Sequence, residues 1–414
     1  MSTVVFLSGT SMGDALGGIG RSYKAVFTEL GYNFVELSLT SNPAEKLITI
    51  AKTDVEFVFA FMAIAAHVTA DSEAKKNCSI WEMLGTPYIS LYGDTPAYFF
   101  DRHVMKSPNF VSLYGFPEHC ALRQRLPLIK NMIGTYLPTA VDTVAKETLD
   151  FKQKADGDLI FLKNSNDPNR LIKFWQTSLP PRPLAALMEI AAQLRSDFNN
   201  KANNQIDDLV IRYFNDKKID VSNLFKLRLF FIAQLDDYLR HLKSDFIADA
   251  LMDFPVQIHG NNWDHKDFSG KRLKIIPSCN YEKSRELIRN SFGTIDMSPN
   301  TSQAPHDRVL RAYGMYTLCL TNEQDFFARE IPRHKEFSYR FDKESLQSKV
   351  ADVLANRKRS IDLGLEVADT FHKKFKPEAF AHQLLEAAAA VRLNQLAGSP
   401  EGMPPYFLWP PDSL

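Results

Sequence analysis

Several short stretches carry side chains suited to chemistry, and most follow an apolar, strand-like run. GTIDM (293–297) leads into SPNTSQAPHDRVLRAYG, where Met297 and Ser298 begin a polar loop and His306, Asp307 and Arg308 open a helical pattern. Taken alone, that triplet fits an ordinary helix start, because Asp in a first turn is favoured by the helix dipole and Arg308 can pair with a nearby acid. GGIGR brings Gly17, Gly18 and Gly20 together beside Arg21, after the first strand. Glycines let a backbone turn sharply and let a ligand approach N–H groups at the positive end of a helix. The spacing is neither G-x-G-x-x-G nor a Walker motif, and a tight turn is the plain alternative.

LYGDTP ends a strand at Asp94, whose carboxylate could take the proton of an acceptor hydroxyl or simply cap its own turn. Glu118 and His119 in LYGFPEHC are second candidates for that base, although PEH also suits a helix start. QIHGNNWDH offers a stacking face at Trp263 and amide hydrogen bonds at Asn261 and Asn262, beside His259 and Gly260; a polar turn with a packed tryptophan is the other reading. His259 and His265 lack a third partner for a metal. Lys163 and Asn164 end another strand, where the ammonium could neutralise an anion. The acid pair Asp236 and Asp237 reads as a solvated helix face with Arg240 and His241 as i,i+4 partners, and DGD (156–158) as a turn before a strand.

These residues must be positioned by alternating strands and helices. TVVFLSG, FVELSL, VEFVFAFM, PYISLYGD and FVSLYG are separated by helical patterns, including one from about 21 to 30 and one near 71–85, which predicts a parallel doubly wound sheet. The alternation returns with LIFLKN, FPVQIHG, LKIIPSC, GTIDMSP and YTLCLTN, with helices over 281–291 and 306–314. The fold class expected is therefore α/β, with two Rossmann-like doubly wound domains facing a cleft, a helical insertion over about 165–250 and a helical C-terminus. The expected division is 1–145, 146–385 and 386–414, the last comprising a helix end and an aromatic tail (Tyr406, Phe407, Leu408, Trp409) suited to acceptor or subunit contacts, as in a homo-oligomer.

Forty-nine basic and forty-nine acidic residues balance over 414 positions. No overall field would hold a nucleic-acid backbone or an anionic membrane, so any anion is bound locally and no nucleic-acid partner is expected. The first residues lack a basic n-region, and the most apolar run, FVFAFMAIAAH, is far shorter than the ~20 residues of a membrane span, so a cytoplasmic protein is expected. Cys78, Cys120, Cys279 and Cys319 are scattered as packed thiols would be, without disulfide or zinc spacing.

GGIGR after the first strand, and above all SFGTIDMSPNTSQAPHDRVLRAYGMYTLCLTNEQDFF (291–327), resemble glycosyltransferases of the GT-B architecture that use nucleotide sugars, in particular their CgeB-like branch with its group 1-type C-terminal donor-binding segment. The resemblance covers the last third well, the first third loosely and the middle poorly. It implies an enzyme that moves a sugar from a nucleotide-activated donor to a hydroxyl acceptor, with no metal and no cofactor beyond the nucleotide sugar. The donor's diphosphate would lie at the helix start, held by amide N–H groups, Arg308 and His306, with Lys163 assisting; Asn164, His259, Gly260, Asn261, Trp263, Met297, Ser298 and Asp307 would line the donor side. Gly18, Gly20 and Arg21 would lie across from it, and Asp94 would be the base. Arg311 stands where the family pattern often has a Glu for the ribose diol, which a cation cannot replace as an acceptor. A nucleotide-sugar epimerase, or a chain that binds partners without catalysis, would share the architecture.

Overall fold

The computed structural model describes residues 1–396 apart from 10, 12–13, 41–42, 52, 71–77, 106, 127–131, 197–205, 222 and 299. The aromatic tail and much of the 71–85 stretch therefore lie outside the described residues. The chain forms two compact units, one of residues 1–139 with the segment from Phe375 onward, the other of Ala140–Lys374.

In the first unit the strands β1 (Thr3–Ser8), β2 (Asn33–Ser38), β3 (Val55–Phe61), β6 (Tyr88–Tyr92), β7 (Phe110–Tyr114) and β8 (Met132–Thr135) form one parallel sheet in the order β2-β1-β3-β6-β7-β8. A two-residue ribbon, β4 (Thr69–Ala70) against β5 (Cys78–Ser79), stands apart from it. β1, β6 and β7 are buried along their whole length, which is why they read as mostly apolar runs and not as alternating ones. Phe6 stacks on Phe59 at 5.0 Å and Phe27 packs against Phe34, Phe57 and Phe59, giving this unit an aromatic core.

The last helix, Pro377–Leu396, belongs to this first unit. Phe380 stacks on Tyr23 at 4.3 Å, Gln383 accepts the N–H of Leu137 at 2.8 Å, and Arg392 pairs with Glu56 at 2.7 Å. The boundaries thus fall at 139/140 and 374/375, where composition had suggested 145/146 and 385/386.

In the second unit β9 (Leu159–Leu162), β10 (Val256–His259), β11 (Lys274–Ile276), β12 (Gly293–Ile295), β13 (Leu318–Asn322) and β14 (Ser338–Tyr339) form a parallel sheet ordered β11-β10-β9-β12-β13-β14. The expected two-sheet α/β fold, helical insertion and helical C-terminus are all present. The insertion comprises Pro168–Ser178, Pro181–Ser196, Ile206–Asp216 and Phe225–Leu251. A buried Arg228–Asp207 pair at 2.7 Å ties its last two helices, and Trp175 donates to Gln234 at 2.7 Å. From β9 the chain runs outward to β10 and β11, then returns to place β12 on β9's other edge. The strand order therefore reverses between β9 and β12, and at such a point the loops part and leave a crevice at the strands' carboxyl ends.

Candidate functional site

Arg308 lies across that reversal point. It sits in the first turn of helix Asp307–Gly314, and its guanidinium joins the two central strands: Nε donates to Asp296 Oδ1 at 2.7 Å, just past β12, and Nη1 donates to the carbonyl of Leu162 at 3.1 Å, the end of β9. Nη2 has no partner among the described residues. Asp296 is fully buried, its Oδ2 makes no hydrogen bond, and its backbone is clamped by Leu320 and by the Tyr339 hydroxyl. His306 is the N-cap, its Nδ1 lying 2.8 Å from Asp307 Oδ1 and 3.4 Å from Arg308 N. Burial alone would raise the Asp307 pKa; His306, Arg308 and Arg311 outweigh it and hold the carboxylate well below its usual range.

Beside Arg308, the loops after β9 and β10 are laced together. Gly260 touches the β9 loop so closely that a Cβ would lie 1.9 Å from the Lys163 carbonyl oxygen, so only glycine fits. Asn261 N–H donates to Asn164 Oδ1 at 2.8 Å, and the Asn261 amide exchanges bonds with Ser278 at 2.7 and 3.0 Å. The Lys163 ammonium makes no hydrogen bond or ion pair among the described residues. Burial, followed by the nearby charges of Arg308 and Arg240, lowers its pKa to about 7.

Other predicted residues fall elsewhere. Trp263 is 3% exposed and spends its indole N–H on the Lys163 carbonyl at 3.0 Å, so it is packed and offers no stacking face. His259 turns back to Gln257 at 3.3 Å, away from the loop cluster, and burial lowers its pKa. Met297 and Ser298 are buried; Ser298 N–H donates to Asn322 at 2.7 Å and its hydroxyl closes a turn on Thr301. In the first unit, Gly17, Gly18 and Gly20 do not form a loop. They lie within helix Ala15–Ser22, where a Cβ on Gly20 would sit 2.1 Å from the Phe6 ring, so close packing on β1 requires glycine at that one position. Arg21 pairs with Asp14 and with Glu36 at 3.1 Å. Asp94 is half-buried on the bend after β6.

The sequence reading put the charges of helix Phe225–Leu251 on a solvated face. Asp236, Asp237, Arg240 and His241 do pair at i,i+4, at 2.7 and 3.3 Å, but the face is not solvated: Asp236 is 4% exposed and held by Asn300, while His241 meets Asn166 at 3.2 Å. Asp245 reaches His265 at 2.9 Å and Ser165 at 3.3 Å. These charges thus lie over the β9 and β10 loops. The available signal was that they alternate with Leu235, Tyr238 and Leu239, which leaves no purely polar face. Among the described residues no three His, Cys, Asp or Glu side chains gather as metal ligands would, and no helix is long and apolar enough to cross a membrane.

The chain superposes on an alpha-glucosyltransferase (AGT) in complex with UDP, with a TM-score of 0.55 over 94% of this chain and 100% of that one, at 8% identity. An alpha-glucosyltransferase in complex with UDP-glucose and DNA containing an abasic site aligns with a TM-score of 0.52 over 94% and 99%, at 7% identity. That likeness is one of fold. No family model matches the chain and no curated protein matches it in sequence, so these comparisons add nothing to the CgeB-like resemblance.

Proposed function

We propose that this chain is a glycosyltransferase that binds a nucleotide-activated sugar at the carboxyl ends of β9 and β12 and transfers the sugar to a hydroxyl acceptor. The observation that carries the reading is the pair of cations at the reversal point: Arg308, held rigidly with one terminal nitrogen left over, and Lys163, whose ammonium has no counter-ion of its own. Two cations beside the start of a helix suit a diphosphate, whose departure needs charge stabilisation that preorganised donors supply without a metal. His306 and the first amides of helix Asp307–Gly314 complete that side, and Asn164 and Asn261 hold the loops in place. Asp94 remains the base proposed for the acceptor hydroxyl, in a cytoplasmic setting. The two superposed glucosyltransferases carry UDP or UDP-glucose, which makes UDP the first nucleotide to try.

Thermal shift against UDP, GDP, dTDP and ADP and the corresponding sugars tests the reading, since a ligand bound only by the native state raises the melting temperature. The expected result is a shift with one nucleotide family, and sugar transfer to added hydroxyl acceptors in that family. No shift with any of them rejects the proposal, and turnover of donor alone to an isomeric nucleotide sugar points to epimerisation instead.

A further inference from the structure

The loop after β6 holds a phenylalanine in a backbone conformation that its side chain disfavours. Phe99 sits at φ 50°, in the left-handed region where a Cβ crowds the following carbonyl, and its ring is 64% exposed. Core packing therefore does not explain an aromatic residue there. The frame around it is fixed: the Tyr92 hydroxyl donates to the Arg102 carbonyl at 2.5 Å, Arg102 N–H donates to Phe99 O at 2.8 Å, and Tyr98 N–H donates to Thr95 O at 3.0 Å. Just beyond, Arg123 Nε donates at 3.1 Å to the carbonyl of His103, whose buried ring stacks on Tyr92. The exposed Arg102 guanidinium lies 4.8 Å from the centre of the Phe99 ring and makes no hydrogen bond or ion pair among the described residues.

We propose that Phe99 and Arg102 form the acceptor subsite and that the acceptor is an acidic sugar: the Phe99 ring stacks on the C–H face of a pyranose, and the guanidinium now resting on that ring turns to pair with the sugar's carboxylate. The inference rests on the sugar-transfer reading above, and the subsite shares its loop with Asp94.

Each half of the pair has its own reason. An aromatic face takes a saturated ring by packing alone, and a planar guanidinium holds a carboxylate through two parallel N–H donors. A cation–π contact at an exposed site is weak enough to be exchanged for that stronger bond. Asp101 is exposed and Asp94 half-buried on the same loop, so one guanidinium between them suits a single anionic group, while a repeating phosphate backbone would be repelled. That favours an acidic sugar over a nucleic-acid strand, which also offers rings and charge. Because the bonds on either side of Phe99 maintain its backbone, the ring is displayed in place before the acceptor arrives, and little order has to be gained on binding.

Calorimetric titration of the full chain with a glucuronate-containing tetrasaccharide, with the same sugar after its carboxylates are reduced to alcohols, and with a thymidine tetranucleotide compares the three chemistries. The wild type should bind the acidic sugar about tenfold or more tightly than the reduced one, the increment of one hydrogen bond to a charge, and the tetranucleotide more weakly than the acidic sugar. Arg102→Gln should erase that preference and leave the reduced sugar bound as before. Phe99→Gly should weaken both sugars about tenfold yet melt close to the wild type, because glycine accepts the left-handed backbone and no buried contact is lost; a phenylalanine kept for stability would lower the melting temperature on removal. Equal affinity for the acidic and reduced sugars, tightest binding of the tetranucleotide, or sugar binding indifferent to Phe99→Gly overturns the subsite. Thermal shift with UDP, GDP, dTDP and ADP on the same protein separates the two readings: a nucleotide shift without sugar binding overturns the subsite and leaves sugar transfer standing, whereas no nucleotide shift overturns both.

Discussion

Two arginines one turn apart have opposite lives. Arg308 has one terminal nitrogen to give; Arg311 has none that matters to a ligand. It is 5% exposed, pairs with Asp142 at 3.1 Å, donates to Ser284 at 2.8 Å and lies over the Tyr281 ring at 4.1 Å. Burial and these contacts give Arg311 a structural role. Arg311→Met should lower stability by about 3–5 kcal/mol, the usual consequence of stranding one partner of a buried pair, with Arg285 at 3.7 Å from Asp142 softening the loss. Chemical denaturation measures it, and nucleotide affinity in the folded variant should stay within about threefold, well under the effect of one lost hydrogen bond to a charge. Arg308→Ala should do the reverse at the ligand: the loss of a charged hydrogen bond, about 1.5–3 kcal/mol, weakens nucleotide binding roughly ten- to hundredfold. Unchanged affinity and turnover would remove Arg308 from the site.

Among elements, the strands were legible because largely buried parallel strands leave short apolar runs bounded by polar loops, as at LIFLKN. Less legible was anything decided by contact at a distance. GGIGR has the composition of a ligand loop, yet it lies in a helix whose Gly20 serves helix-on-strand packing, and only the position of Phe6 shows that. Gly20→Ala should destabilise the chain by about 1–3 kcal/mol through overpacking, with nucleotide binding retained. The opposite pattern, lost binding at unchanged melting temperature, would restore the loop reading. Trp263 was ambiguous for the same reason, since a tryptophan after a strand can stack on a base or cap a neighbouring carbonyl, and the partner that decides is 100 residues earlier. Arg240 and His241 were hidden by a helical pattern whose i,i+4 pairs were correctly read but whose covering loops lie far along the chain.

For the whole molecule, connectivity sets the expectation. Residues 140–374 are one continuous segment with their own sheet, whereas the first unit needs both ends of the chain. The 140–374 segment expressed alone should fold cooperatively and keep the nucleotide affinity of the full chain. A chain ending at Lys374 should lose the melting transition of the first unit, because Phe380, Leu384 and Val391, all fully buried, would leave their niches empty, and removing even one such phenylalanine costs about 3–5 kcal/mol. Calorimetry of both fragments checks this, and a first unit that melts normally without the helix would refute it.

The same connectivity imposes an order of events during synthesis. Helix Pro377–Leu396 is synthesised after the whole of the second unit, so the sheet that begins with Thr3 waits, its aromatic flank uncovered, until that unit has been made. A cell that overproduces this chain would therefore meet its stickiest surface early and its cover late, and chaperone demand should track the time between them.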